Sequence, residues 1–198
     1  MESYEKQTIS GDVEINVFTG EKVRFWGDND AYSDGIDVSK DKHTSISSSG
    51  NIKIYGNIMS LIDSDGFNEL KELTKPYTFK GLFATDGEHG NKYLTDASGL
   101  LLSATTLANS CYYSMFLGCE KLETAPMLPA ETLEPYCYEF MFSGCKILKS
   151  LTCLATDISA ISCTVDWLNG VAAEGTFTKA ASMTGWAQGS SGIPSGWT

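Results

Sequence analysis

The chain has 198 residues, with 14 Lys and Arg set against 25 Asp and Glu for a formal net charge of −11. The acid is spread through both halves, which excludes a nucleic-acid-binding surface and argues against docking on an anionic membrane. No apolar run approaches the ~20 residues that span a bilayer, so membrane insertion is not expected. With 42% hydrophobic and 20% charged residues the sequence reads as folded, not disordered.

Met1-Glu-Ser-Tyr-Glu5 has neither the basic start nor the apolar core of a signal peptide. The protein is therefore expected either to stay in the cytoplasm or to have lost a leader. Residues up to about 60 read as β. Val13-Glu-Ile-Asn-Val-Phe18, Lys22-Val-Arg-Phe-Trp26 and Asn51-Ile-Lys-Ile-Tyr-Gly56 alternate apolar and polar, the period of half-buried strands. Turn-formers separate them at Thr19-Gly20, Gly27 to Asp30, Ser33 to Gly35 and Ser45 to Gly50. These segments predict a small antiparallel β module that caps the rest of the chain. Phe67 to Thr74 reads as a short amphipathic helix, with Asp65 or Asn68 near its start and Pro76 beyond its end. Phe79 to Phe83 restores an apolar run, and the polar stretch Ala84 to Asn91 delays the next strand at Tyr93 to Ser98.

From Leu102 onward one motif recurs at an offset of 26 residues. Leu107, Cys111, Met115, Phe116, Gly118 and Cys119 are matched by Leu133, Cys137, Met141, Phe142, Gly144 and Cys145. A weaker third copy keeps Leu154, Cys163, Trp167, Leu168 and Gly170. Such a period marks a stacked repeat whose units bury their apolar faces only against neighbours. Leu122-Glu-Thr-Ala-Pro-Met127 and Leu148-Lys-Ser-Leu-Thr-Cys153 fit the L-x-x-L-x-L strand of a leucine-rich repeat, with Leu94 to Ala97 and Phe177 to Ala180 as flanking strands. The four-residue spacing of Leu107, Cys111, Met115 and Cys119 predicts a short helix on the other side of each coil, closed by Gly118, Gly144 and Gly170.

The predicted fold is therefore mixed α/β and β-rich. It is a short right-handed leucine-rich-repeat solenoid of parallel strands and short helices, capped by an antiparallel β module. Residues 1–75 form the cap and 76–198 the solenoid, with repeats near 102–127, 128–153 and 154–175. The change to Trp186, Trp197 and the Gly/Ser-rich run Gly189 to Gly196 marks a C-terminal cap. The five repeat-position cysteines are expected as buried free thiols in stacked ladders, not as three disulfides or a zinc site.

Leu122 to Leu133, the unit Cys-Tyr-x-x-Met-Phe-x-Gly-Cys and Leu154-Ala-Thr-Asp-Ile158 resemble the BspA-like leucine-rich-repeat surface proteins of gut anaerobes. Gly56-Asn-Ile-Met-Ser-Leu61 and the ending Gly192-Ile-Pro-Ser-Gly-Trp197 are similar to flanking segments of that group, so the resemblance covers most of residues 20–198. It implies a secreted or cell-surface protein that adheres to a host or bacterial surface protein or glycan. The chain departs from the group in having few repeats and no lipobox cysteine.

In an L-x-x-L-x-L strand the x positions face outward, so Asp96, Ser98, Thr124, Pro126, Ser150 and Thr152 are the candidate binding residues. They are small and carry little charge, which predicts a shallow site. No nucleophile elbow, P-loop, dinucleotide fingerprint or H-E-x-x-H motif is present. His43 and His89 sit in polar loop sequence and read as solvated. Asp28, Asp30 and Asp34, and Asp63 and Asp65, have calcium-like spacing, but a loop counted from Asp28 places Tyr32 and Ser39 where ligands belong, and one from Asp63 places Phe67 and Thr74. Turn and capping roles explain these acids better. The expectation is a non-catalytic binding or adhesion module without cofactor or metal. A structural fragment presenting a larger surface protein is the alternative, and a carbohydrate-active enzyme a more distant one.

Overall fold

The computed structural model describes residues 8–9, 11–35, 43–85 and 89–198. It is β-rich with almost no helix. β1 (Ile52–Asn57) pairs in parallel with β2 (Leu94–Leu101), and β3 (Ser150–Cys153) pairs in parallel with β4 (Thr176–Lys179). Only a single 3-10 turn, Ile58–Leu61, is helical among the described residues; Asn57 caps it by accepting a bond from the Met59 amide. The β1–β2 sheet joins the segments on either side of residue 75.

The short helices predicted at residues 107–119 and their equivalents are not formed. An α-helix bonds every amide to the carbonyl four residues back. Here the amides of Cys111, Tyr113, Met115, Leu117 and Cys119 reach back only three residues. The alternate amides of Ser110, Tyr112, Ser114, Phe116 and Gly118 leave the segment. They donate to the carbonyls of Pro135, Cys137, Glu139, Met141 and Ser143. The next rung repeats the rule, from Tyr136, Tyr138, Phe140, Phe142 and Gly144 to Ile161, Cys163, Val165, Trp167 and Asn169. The sequence is thus wound into linked four-residue turns, each ending in a left-handed residue: Ser110, Ser114 and Gly118, then Tyr136, Phe140 and Gly144. A period of four produces the same apolar stripe whether it comes from such turns or from a helix. That is why pattern alone pointed to the helix.

The same bonding runs one unit earlier. Tyr77, Phe79, Gly81 and Phe83 donate to Asn109, Cys111, Tyr113 and Met115. The apolar run Phe79 to Phe83 is therefore a further rung.

Stacking places like side chains over one another. Tyr32, Phe79, Tyr112, Tyr138, Trp167 and Trp186 form one column with successive ring centroids 6.1, 5.8, 6.0, 6.5 and 5.2 Å apart. Phe83, Phe116 and Phe142 form a second at 5.2 and 5.3 Å. All six cysteines are free and buried beside these columns. Tyr32 closes the column at one end and Trp186 at the other. The Trp197 indole N–H, bonded to the Ala172 carbonyl at 2.8 Å, ties the last residues to the same end.

The antiparallel N-terminal module is not formed as predicted. Asn51 to Gly56 does supply a strand, β1, but its partner β2 runs parallel. Val13 to Phe18 and Lys22 to Trp26 lie outside any strand and are exposed or nearly so. Antiparallel contact among the described residues is confined to the isolated bridges Ser33–His43 and Ala84–Gly90. Phe67 to Thr74 is likewise not a helix. Residues 64–69 turn instead, because Asp63 Oδ1 accepts the amides of Asp65 and Gly66 and stops the chain from winding on.

The glycines that end the rungs have a graded role. Gly118, Gly144 and Gly170 have φ of +69, +77 and +72°. A Cβ at Gly118 would lie 2.6 Å from the Gly90 nitrogen; at Gly144 it would meet Gly118 Cα at 3.3 Å, and at Gly170 it would meet Gly144 Cα at 3.7 Å. Left-handed strain alone costs about 1–2 kcal/mol for alanine at each position. Thermal denaturation should rank the variants Gly118→Ala, Gly144→Ala and Gly170→Ala from most to least destabilised, with Gly118→Ala about 1–3 kcal/mol worse than Gly170→Ala. Equal losses at all three positions would contradict the close packing at Gly90.

Candidate binding face

Strand alternation in β3 turns Leu151 and Cys153 inward and Ser150 and Thr152 outward. The parallel register then sets Ser150 beside Thr176 and Thr152 beside Thr178. With Ser98, Ala125, Met127 and Leu151 these residues line an open depression of ≈ 220 Å³. Three predicted residues, Ser98, Ser150 and Thr152, come together there. Thr176 and Thr178 were missed, although Thr176 continues the repeat spacing from Ser150 and Thr178 from Thr152. The depression's lining carries no carboxylate.

Thr124 and Asp96 sit beside this depression. They face each other across an isolated parallel bridge, and the Thr124 hydroxyl bonds Asp96 Oδ1 at 2.6 Å. The Ser98 amide and hydroxyl donate to the same oxygen at 2.9 and 2.7 Å, and Lys53 Nζ lies 3.5 Å from Oδ2. The hydrogen bond from Thr124, then those from Ser98, hold the Asp96 carboxyl well below the usual carboxylate range. It stays ionised and anchors the corner of the face, and it has no proton to give at neutral pH.

Pro126 departs from the expectation: it is buried, and Met127 is 51% exposed in its place. The segment from Ala125 to Met127 makes no continuous strand, so strict alternation lapses there. Proline has no amide for the ladder, and parallel bonding resumes only at the Leu128 amide, which reaches the Thr152 carbonyl at 3.0 Å. A further exposed apolar group adjoins the face. Tyr55, 61% exposed, pairs with Gly99, where a Cβ would sit 2.8 Å from Tyr55 Cβ. Leu101, 57% exposed, ends the same strand.

The remaining candidates have other work. Asp28 Oδ1 accepts the Ser64 amide at 3.0 Å, joining the two acidic loops, and Asp63 caps its own turn. Among the described residues no group of three or more His, Cys, Asp and Glu is arranged to hold a metal. His43 is half-buried against Gly81, not solvated as expected. Tyr112, Tyr138 and Trp167 are core, whereas Tyr113 is half-buried edge-on to Phe140 with Lys80 Nζ 5.9 Å from its ring. Burial, and then the charge of Asp166, push the Glu139 carboxyl up, on the turn side of the repeats and away from the depression.

No protein-family model, curated protein or solved structure matches the chain. Among the described residues no helix is long and apolar enough to cross a membrane.

Proposed function

We propose that the chain is a short right-handed leucine-rich-repeat solenoid of the BspA-like kind, serving as a non-catalytic binding or adhesion module of a secreted or cell-surface protein. Its partner is a host or bacterial surface protein or glycan that lies across the strand face. The observation that carries this reading is the outward row Ser98, Ser150, Thr152, Thr176 and Thr178 around one open depression. Hydroxyls on a rigid sheet offer directional donors and acceptors without a charge to desolvate. The exposed Met127, Tyr55 and Leu101 supply apolar contact of the type that anchors interfaces. A hydrolase built on paired acids needs two carboxylates converging on a cleft, roughly 5–10 Å apart, and this lining has none.

The test is binding to an array of glycans and a panel of extracellular host proteins, with the double variant Thr152→Lys, Thr178→Lys as the probe of the face. The native chain should bind at least one member with a Kd at or below about 10 µM. The variant should lose about tenfold or more, since two long cations then occupy the depression. Absence of binding at that concentration, or equal binding by the variant, would overturn the proposal.

A further inference from the structure

In parallel strands alternate residues lend both their amide and their carbonyl to the same neighbour. The Thr176 amide donates to the Lys149 carbonyl at 2.9 Å, and the register pairs Ser150 with Thr176 and Thr152 with Thr178. The Leu151 and Cys153 amides therefore point toward β4, and the Ser150 carbonyl and Thr152 amide point the other way, toward residues 125–127. The residue due to meet both is Pro126. It lies two before Leu128, whose amide donates to the Thr152 carbonyl at 3.0 Å and whose carbonyl accepts the Leu154 amide at 2.9 Å. Proline has no amide to give to Ser150. Among the described residues the Thr152 amide reaches no carbonyl of that segment either. One step of the ladder thus lacks both of its bonds, and it does so where the face is hollow. The open depression is bounded by Ala125 and Met127 on one side and by Ser150 and Thr152 on the other. Leu151 lines it although its side chain is buried, so the floor there is main chain.

An open donor and acceptor on one strand edge ordinarily invite a further strand. Here a strand could not continue, because Leu128 already occupies the next step and Leu151 and Cys153 are committed to β4. A vicinal diol needs no more than that one pair. One hydroxyl donates to the Ser150 carbonyl, and its neighbour accepts from the Thr152 amide. The hydroxyls of Ser98, Thr176 and Thr178 surround the hollow and can meet further hydroxyls, while Met127, 51% exposed, gives an apolar wall to a C–H face. No charged side chain is in the lining, and the Asp96 carboxylate beside it disfavours an acidic ligand. The volume of ≈ 220 Å³ is below the ~300–1,000 Å³ that holds a drug-sized ligand and suits a single sugar ring. Resting on the binding reading above, we propose that the partner is a neutral glycan, and that two adjacent hydroxyls of one hexose ring replace the ladder bonds that Pro126 leaves open.

Amide hydrogen exchange of the ligand-free chain should show Thr152 exchanging fast between protected Leu151 and Cys153, the signature of an open step. An array of neutral hexose oligosaccharides, their sialylated and sulfated counterparts, and enzymatically deglycosylated extracellular proteins then sorts the partner. A neutral member should bind and shift the Thr152 amide resonance, and its acidic counterpart should bind about tenfold or more weakly. Monodeoxy analogues lacking either hydroxyl of the diol should lose about tenfold. Pro126→Ala supplies an amide for the Ser150 carbonyl and closes the step, so it should slow Thr152 exchange and weaken glycan binding by about tenfold. Near-UV circular dichroism of that variant reports that the aromatic columns remain packed. Binding only to proteins, or only to acidic glycans, overturns this inference and leaves the adhesion reading standing; binding to no member overturns both. A protected Thr152 amide in the free chain, or a bound glycan that leaves its resonance unmoved, overturns the inference as well.

Discussion

Alkaline pH should unfold this protein steeply, between roughly pH 9 and pH 11. Burial pushes the thiols of Cys111, Cys119 and Cys153 up to about 12, and raises those of Cys137, Cys145 and Cys163 as well. In the unfolded chain each thiol titrates near 8.5. The stability tied to these groups is thus fully present below about pH 8.5, because both states then hold their protons. As pH rises, the unfolded state releases protons that the folded state must keep, so unfolding is favoured by about 1.4 kcal/mol per pH unit for each thiol. The three thiols at about 12 together remove about 4 kcal/mol per unit, which two units carry past half of a typical 5–15 kcal/mol stability. The phenols of Tyr112 and Tyr138, raised by burial and without a hydrogen-bond partner, add to the loss above about pH 10. Circular dichroism melts at stepped pH provide the measurement. A melting temperature unchanged to pH 11 would refute the account, as would rapid alkylation of all six cysteines at pH 8 without denaturant.

The cysteine ladders, legible in the sequence, underlie that expectation. Spacing alone predicted that Cys111, Cys137 and Cys163 share one environment, and that Cys119 and Cys145 share another. Repeat length was equally legible, because stacking preserves one offset for every core position. The local backbone was not. Cys111, Met115 and Cys119 show the same period of four in a helix and in linked turns, and what separates the two is the destination of the alternate amides. That destination is the neighbouring repeat, a non-local partner to which a pattern within one segment is blind. Ser110, Ser114, Tyr136 and Phe140 in left-handed conformation gave no warning, since none is glycine. Alternation predicts the outward orientation of Ser98, Ser150 and Thr152, where the ladder is continuous, and fails for the buried Pro126, where it breaks. The N-terminal segments failed for another reason: alternation at Val13 to Phe18 and Lys22 to Trp26 describes what a segment can pair with, not that a partner strand lies beside it, and neither forms a strand.

Trp167→Ala tests whether stability in this chain is passed from neighbour to neighbour. Trp167 is fully buried, and its Nε1 donates to the Gly192 carbonyl at 2.6 Å. Its ring lies 6.5 Å from Tyr138 and 5.2 Å from Trp186, with Phe177 edge-on at 5.9 Å. Removing it deletes the joint between the last rung and the C-terminal segment, at a cost of about 3–5 kcal/mol. Phe142→Ala should cost a similar amount, since its ring is fully buried 5.3 Å from Phe116. The two differ in where the damage goes. In a stack held by nearest-neighbour contacts, the end of the column can open while its middle holds. Hydrogen exchange of Trp167→Ala should therefore show lost protection at the Asp166 and Ile193 amides, bonded to Ser190 and Ala187, while the Phe79 and Phe83 amides stay protected. Phe142→Ala should lower protection on both sides of the middle rung. If Trp167→Ala instead lowers protection equally from Phe79 to Ile193, the chain unfolds as one cooperative core and the rungs are not separable units.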